Sequence, residues 1–171
     1  MKKIFFVAIA TLLCTTQSFA QPRAIGGRFG TNLEFSYQHT VGSINYLQLD
    51  AGFYGYGRGL SAVGTYNWIV AEPNWTDYGN FEVFAGVGAG VGLYRYPTNY
   101  YDVNTGVYYS KNRTGSFVGA AGNVGLAYNF PFPLQLSADI RPLVGFYFNE
   151  GNTGFFDSGL LDLGLSVRYY F

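Results

Sequence analysis

The stretch from Phe84 to Leu93 reads FAGVGAGVGL, with glycine at 86, 88, 90 and 92 and Val87, Ala89 and Val91 between them. A repeat of two is the period of a β-strand, whose side chains point to alternate faces. A dinucleotide-binding loop needs a different arrangement, G-x-G-x-x-G between a strand and an amphipathic helix. No helical pattern follows Leu93. One face of this strand is therefore small, the other is apolar, and its function depends on what each face meets.

The alternation recurs along the chain. In 80–95, Phe81, Val83, Ala85, Val87, Ala89, Val91 and Leu93 oppose Glu82, Phe84, the four glycines and Tyr94. In 134–148, Leu134, Leu136, Ala138, Ile140, Val144, Phe146 and Phe148 oppose Gln135, Ser137, Asp139, Arg141 and Tyr147. In 159–171, Leu163, Leu165, Val167, Tyr169 and Phe171 oppose Asp162, Gly164, Ser166, Arg168 and Tyr170. Segments 44–54 and 115–129 divide in the same way. Segment 60–70 is the weakest, because Val63 and Ile69 fall on its otherwise polar face.

Composition says what the apolar faces meet. The chain is 20% aromatic and 12% charged, whereas an ordinary soluble domain is about 25% charged. No stretch beyond residue 20 has the ~18 unbroken apolar residues of a membrane helix. Apolar surface in excess, little charge and no helix point to strands that face lipid. A soluble sandwich also alternates, but it turns polar residues outward. An Arg or Lys on the lipid face costs about 2–4 kcal/mol at mid-bilayer. A single frame per strand removes Arg28, Glu34, Asp50, Glu82, Asp139, Arg141, Asp162 and Arg168 from that face together.

Counting strands gives seven: 24–38, 44–54, 60–70, 80–95, 115–129, 134–148 and 157–171. One-chain bacterial outer-membrane barrels have an even number, with short periplasmic turns and longer outer loops. The count becomes eight if 24–38 folds back on itself at Gly30-Thr31-Asn32, all turn-forming residues. A three-residue loop pairs Phe29 with Leu33 on the lipid face and sets Arg28 opposite Glu34 inside. A two-residue turn would push Phe35 and Tyr37 inward and Glu34 outward. The expectation is an all-β, eight-stranded antiparallel up-and-down transmembrane barrel over 21–171, with both termini periplasmic.

The first twenty residues, MKKIFFVAIATLLCTTQSFA, have the layout of a secretory signal peptide cut after Ala20. Leu13 is too bulky for a lipoprotein signal at Cys14. Cleavage leaves a chain from Gln21 without cysteine, slightly acidic, with Lys111 its one lysine, and nothing that resembles a nucleic-acid footprint.

Phe132-Pro133-Leu134, LSADIRP at 136–142 and LSVRYYF at 165–171 resemble small eight-stranded outer-membrane barrels common in Bacteroidota. So do Ala24-Ile25-Gly26, Ser36-Tyr37-Gln38-His39 and the glycine strand. The resemblance covers most of the mature chain. It implies the outer-membrane protein A/X architecture and assembly by the outer-membrane insertion machinery. Val167, Tyr169 and Phe171 match the terminal signal which that machinery reads. It implies no chemistry.

An eight-stranded barrel is only wide enough for side chains to fill it. The glycines at 86–92 are expected to leave room for Tyr94, Arg141, Arg168 and Tyr170. Buried charges persist when paired and hydrogen-bonded, so the eight charges are expected to form one network that plugs the lumen. Pro142 lacks an N–H and is expected at a bulge or rim. The function read here is a structural or surface-interaction protein, with no cofactor. The alternative is a narrow pore or small hydrophobic-ligand conduit. A barrel-embedded lipid-modifying enzyme is a further alternative, resting on His39 and Ser43, but these are read as lying in a periplasmic turn that connects strands.

The expected partners are outer-membrane lipid, the insertion machinery and a surface protein or glycan. Tyr100, Tyr101, Tyr108 and Tyr109, in a tyrosine-dense outer loop with Asn104-Thr105-Gly106 as its turn, are the binding candidates. This loop either extends two strands for strand addition or forms an aromatic girdle with a tip. Trp68, Trp75, Tyr78, Tyr128 and Phe130 are expected to form the lower girdle. The NWT and NRT sequences match a glycosylation acceptor and carry little weight in a bacterial envelope protein.

Overall fold

The protein is described by a computed structural model over residues 23–171, apart from 56, 103–105 and 160–161. The signal-peptide reading and the Asn104-Thr105 turn lie outside the described residues. Ten strand segments follow in chain order: β1 (Arg23–Gly30), β2 (Leu33–Thr40), β3 (Asn45–Tyr54), β4 (Gly59–Ala71), β5 (Asn80–Asp102), β6 (Val107–Asn129), β7 (Leu134–Ile140), β8 (Leu143–Asn149), β9 (Asn152–Gly159) and β10 (Leu163–Tyr170).

Every neighbouring pair is antiparallel. β6 pairs with β7 near one end and with β8 near the other, so β7 and β8 are halves of one wall strand. β9 and β10 are the halves of the last one. The ladder runs from β1 to β6, through β7 to β10 and back to β1, which closes an eight-stranded up-and-down barrel.

The turn between β1 and β2 has the three-residue register. Phe29 faces Leu33, Arg28 faces Glu34, and Gly30 N–H donates to Asn32 O at 3.1 Å. Side chains then sort by parity. Phe29, Phe35, Leu49, Leu60, Val87, Leu93, Phe146 and Leu165 are exposed on the outer wall, while Arg28, Ser36, Asp50, Asn67 and Arg168 are buried inside.

The wall is broken after Arg141. Pro142 has no N–H to give a ladder, so only its carbonyl is used, accepting from Gly122 at 2.8 Å, while Arg141 N–H turns to Asp162 O at 2.8 Å. The β8–β9 register shifts between Leu143 and Gly145. The irregularity lies within the wall strand rather than at its rim.

Three strand boundaries differ from the sequence reading. β5 and β6 stay paired to Asp102 and Val107, well beyond 95 and 115. The expected loop 149–157 is mostly strand, with Gly151 turning at a φ of 76°. The expected continuous strand 157–171 is two segments, with β10 beginning at Leu163. Alternation could not show the longer hairpins, because a ribbon with water on both faces has no pattern to keep. At about 3.4 Å per residue, the β5–β6 hairpin rises roughly 25 Å above Tyr94.

The interior is not uniformly polar. Val63, Phe117, Ala121 and Leu143 form one buried apolar cluster, with Tyr54, Tyr94 and Tyr147 against it. Tyr46, Phe84 and Ala127 form a second, with Ile69 against it. Val63 and Ile69 spoiled the polar frame of 60–70 because they belong to these clusters. The room left by two of the glycines is also filled differently from the expectation. A side chain at Gly90 would meet Leu143 and Val63, each at 3.0 Å, and one at Gly92 would run into the Phe117 ring. The expected occupants, Tyr94, Arg141, Arg168 and Tyr170, are not the neighbours at these two positions.

Candidate functional site

The strongest concentration of chemistry lies between the two apolar clusters. Strand parity brings Arg28 (β1), Glu34 (β2), Asp50 (β3) and Asp139 (β7) inward, and the break at Pro142 lets Arg141 and Asp162 join them from the far wall. Opposite strands of an eight-stranded barrel lie within reach of long side chains.

Arg28 donates from Nε and Nη2 to Asp139 Oδ1 at 2.9 and 2.6 Å, and from Nη1 to Glu34 Oε2 at 3.2 Å and Asp162 Oδ1 at 3.1 Å. Arg141 donates from Nη1 to Asp50 Oδ2 at 2.8 Å, and from Nη2 to Glu34 Oε2 at 2.7 Å and Asp162 Oδ2 at 2.8 Å. Its Nε also reaches Asp162 Oδ2, at 3.1 Å. The guanidinium's planar fork of donors suits this bridging. Two arginines thus tie four carboxylates across the barrel. Asp50 Oδ1 and Asp139 Oδ2 have no hydrogen-bond partner among the described residues.

Six of the eight charges read as one network meet here. The other two stand apart. Arg168 reaches no carboxylate: it donates to Ser36 Oγ at 2.8 Å, Ser137 Oγ at 2.8 Å, Ser166 Oγ at 3.1 Å and Gln135 Oε1 at 3.2 Å. Glu82 sits nearer the rim, where Asn129 donates to it at 2.6 Å. Period-two reading assigns a side chain to a face but not to a height, and partners are chosen by height. A testable difference follows. Arg168→Met leaves hydroxyl and amide groups that can bond one another, and should cost about 1–2 kcal/mol in a urea titration. That is less than the effect of losing an arginine from the six-membered cluster.

At one end of the barrel, rings form a chain. Trp75 meets Phe81, Phe81 meets Tyr128, Tyr128 meets Phe130 and Phe130 meets Phe132, with centroids 4.7–5.1 Å apart. Trp68 packs on Tyr66 at 4.9 Å, and Tyr78 is largely exposed. Sequence reading placed His39 in a turn. It lies instead on β2, stacked on Tyr37, while Ser43 lies in the connection to β3.

At the other end, the β5–β6 hairpin stands clear of the barrel. Tyr100 faces Tyr109 across the ladder and Tyr101 faces Tyr108; all four are exposed, and the Tyr101 and Tyr108 rings lie 4.8 Å apart. Arg113 lies over the Tyr100 ring at 5.2 Å and pairs with Glu150 of the β8–β9 turn. Glu150 N–H donates to Tyr96 Oη at 3.3 Å. These contacts brace one hairpin against the other.

Comparison with known proteins adds one finding. No family model matches the chain, and no curated protein does. Among solved structures it is similar to the N-terminal β-barrel domain of Pseudomonas aeruginosa OprF, with a TM-score of 0.48 and 16% identity over 88% of this chain and 96% of that one.

Proposed function

We propose that this chain is an outer-membrane barrel, closed inside by its own side chains, that presents the β5–β6 hairpin to partners outside the cell. One observation carries the reading. The outer wall is studded with exposed Phe29, Phe35, Leu49, Leu93 and Leu165, while Arg28, Glu34, Asp50, Asp139, Arg141, Asp162 and Arg168 are each no more than 5% exposed. Water on the outside would favour the opposite arrangement.

The chain ends, with Ala24 beside Tyr170, lie at the end opposite the hairpin and face the periplasm in this reading. Val167, Tyr169 and Phe171 are exposed on the wall there, available to the insertion machinery. The ionic cluster, with apolar clusters beside it, supports a lumen closed to solutes. Planar bilayers containing the protein should show no stepwise conductance above leak; regular steps would establish a pore instead.

The hairpin's tyrosines suit a glycan or protein surface, since each ring offers an apolar face and a hydroxyl. Replacing Tyr100, Tyr101, Tyr108 and Tyr109 by serine should leave the urea midpoint nearly unchanged, within about 0.5 kcal/mol per site. The same variant should lose binding of the purified protein to a glycan array. Unchanged array binding would remove the hairpin from this role.

A further inference from the structure

The end of the wall that carries the hairpin is uneven. β1 and β2 stop at the turn 30–32, level with the Leu33–Phe53 and Gly30–Gly164 pairs. β8 and β9 continue past that level, and β9 has β8 as its one strand partner among the described residues. A notch therefore lies above the turn, between β9 and the β3–β4 connection. Behind it is a cavity of about 210 Å³. Thr31 and Asn32 form its lip, and Val63, Phe117 and Leu143 its apolar lining. On the outer face, Phe29, Leu33, Phe53 and Leu163 are all exposed beside the lip. Apolar surface thus runs up to the lip outside and resumes behind it.

The polar groups lining the cavity are mostly committed. Asp162 accepts from Arg28, Arg141 and Asn32, and each guanidinium nitrogen of Arg141 donates to a carboxylate. Asn32 is pinned on its other side, where its Oδ1 accepts from Gly55 N–H at 3.0 Å. Arg58, which also lines the cavity, has no carboxylate within ion-pair distance among the described residues. An uncommitted guanidinium beside apolar walls selects a carboxylate head with an apolar tail. A cationic head would be repelled, and a neutral one would gain no charge-assisted bond. The volume is below the roughly 300–1,000 Å³ of drug-sized sites, so the tail is a short chain or a single ring.

We propose that the cavity takes the tail of a small carboxylate amphiphile, which arrives sideways from the outer leaflet through the notch and is held at its head by Arg58. This rests on the membrane reading above, and the test separates the two. The barrel in lipid nanodiscs is titrated with 4-(4-fluorophenyl)butanoate and followed by ¹⁹F NMR against empty nanodiscs. Saturable binding is expected, at least tenfold weaker in Arg58→Gln and absent in Val63→Trp, which fills the cavity, with Lys111→Gln unchanged. The matched alcohol should bind at least tenfold more weakly than the acid.

A nitroxide on Thr31→Cys should be more accessible to oxygen than to a water-soluble nickel chelate. The reverse places the lip in water and overturns the sideways route. No saturable binding, or binding indifferent to Arg58 and Val63, overturns the site, provided that the heat-shifted gel mobility of a folded barrel is retained. A nitroxide on Leu165→Cys that reports water would instead overturn the membrane reading itself.

Discussion

Replacing Arg141 by methionine is expected to abolish the folded barrel. Arg141 is 1% exposed and donates to Asp50, Glu34 and Asp162. Methionine preserves bulk but leaves four carboxylates to share Arg28 alone. Breaking a buried ion pair on one side costs about 3–5 kcal/mol, because the abandoned charge stays buried. That is a large share of the roughly 5–15 kcal/mol holding an ordinary domain together. The measurement is the fraction of protein migrating at the folded, heat-sensitive position after refolding into detergent, followed by a urea titration of whatever folds. A variant that also carries Glu34→Gln and Asp50→Asn removes two of the stranded charges and should recover at least half of the loss. Wild-type stability of Arg141→Met would mean that the cluster contributes nothing net.

The second large effect lies on the opposite face of the same wall. Leu165 is 65% exposed on β10, flanked by Phe29 and Ala138. If that face meets hydrocarbon, Leu165→Arg should cost about 2–4 kcal/mol in lipid bilayers. If it meets water, the same change should stay within about 0.5 kcal/mol. Tyr108→Arg, at a 75% exposed position on the hairpin, is the control and should be neutral under both readings. The pair of variants therefore decides which solvent surrounds the wall, independently of any partner.

Much of this arrangement was legible in the residues, for a specific reason. A strand with different solvents on its two faces must alternate, and a slip of one residue exposes every wrong side chain together. That constraint located the turn at 30–32 and turned Arg28, Glu34, Asp139 and Arg168 inward. It was silent on height. The expectation of one eight-membered network failed at Arg168, whose level holds serines, and at Glu82, which lies near a rim. It was silent too on apolar residues turned inward: Phe117 and Leu143 carry no pattern that separates them from outward neighbours. Pro142 was legible for a different reason, its missing donor, which interrupts any ladder wherever it falls.

The seam between β1 and β10 has a consequence for how the molecule is made. β5 and β6 are joined by a short connection and zip continuously from Asn80–Asn129 to Asp102–Val107, so this ribbon gains bonds with little loss of chain entropy. The seam runs only from Ala24–Tyr170 to Gly30–Gly164, and it unites opposite ends of the sequence. Non-local pairings of this kind are slow, because the intervening chain must be ordered before they reward it. Closure is therefore the final step of folding, and β1–β10 is the line along which a partly assembled cylinder stands ajar.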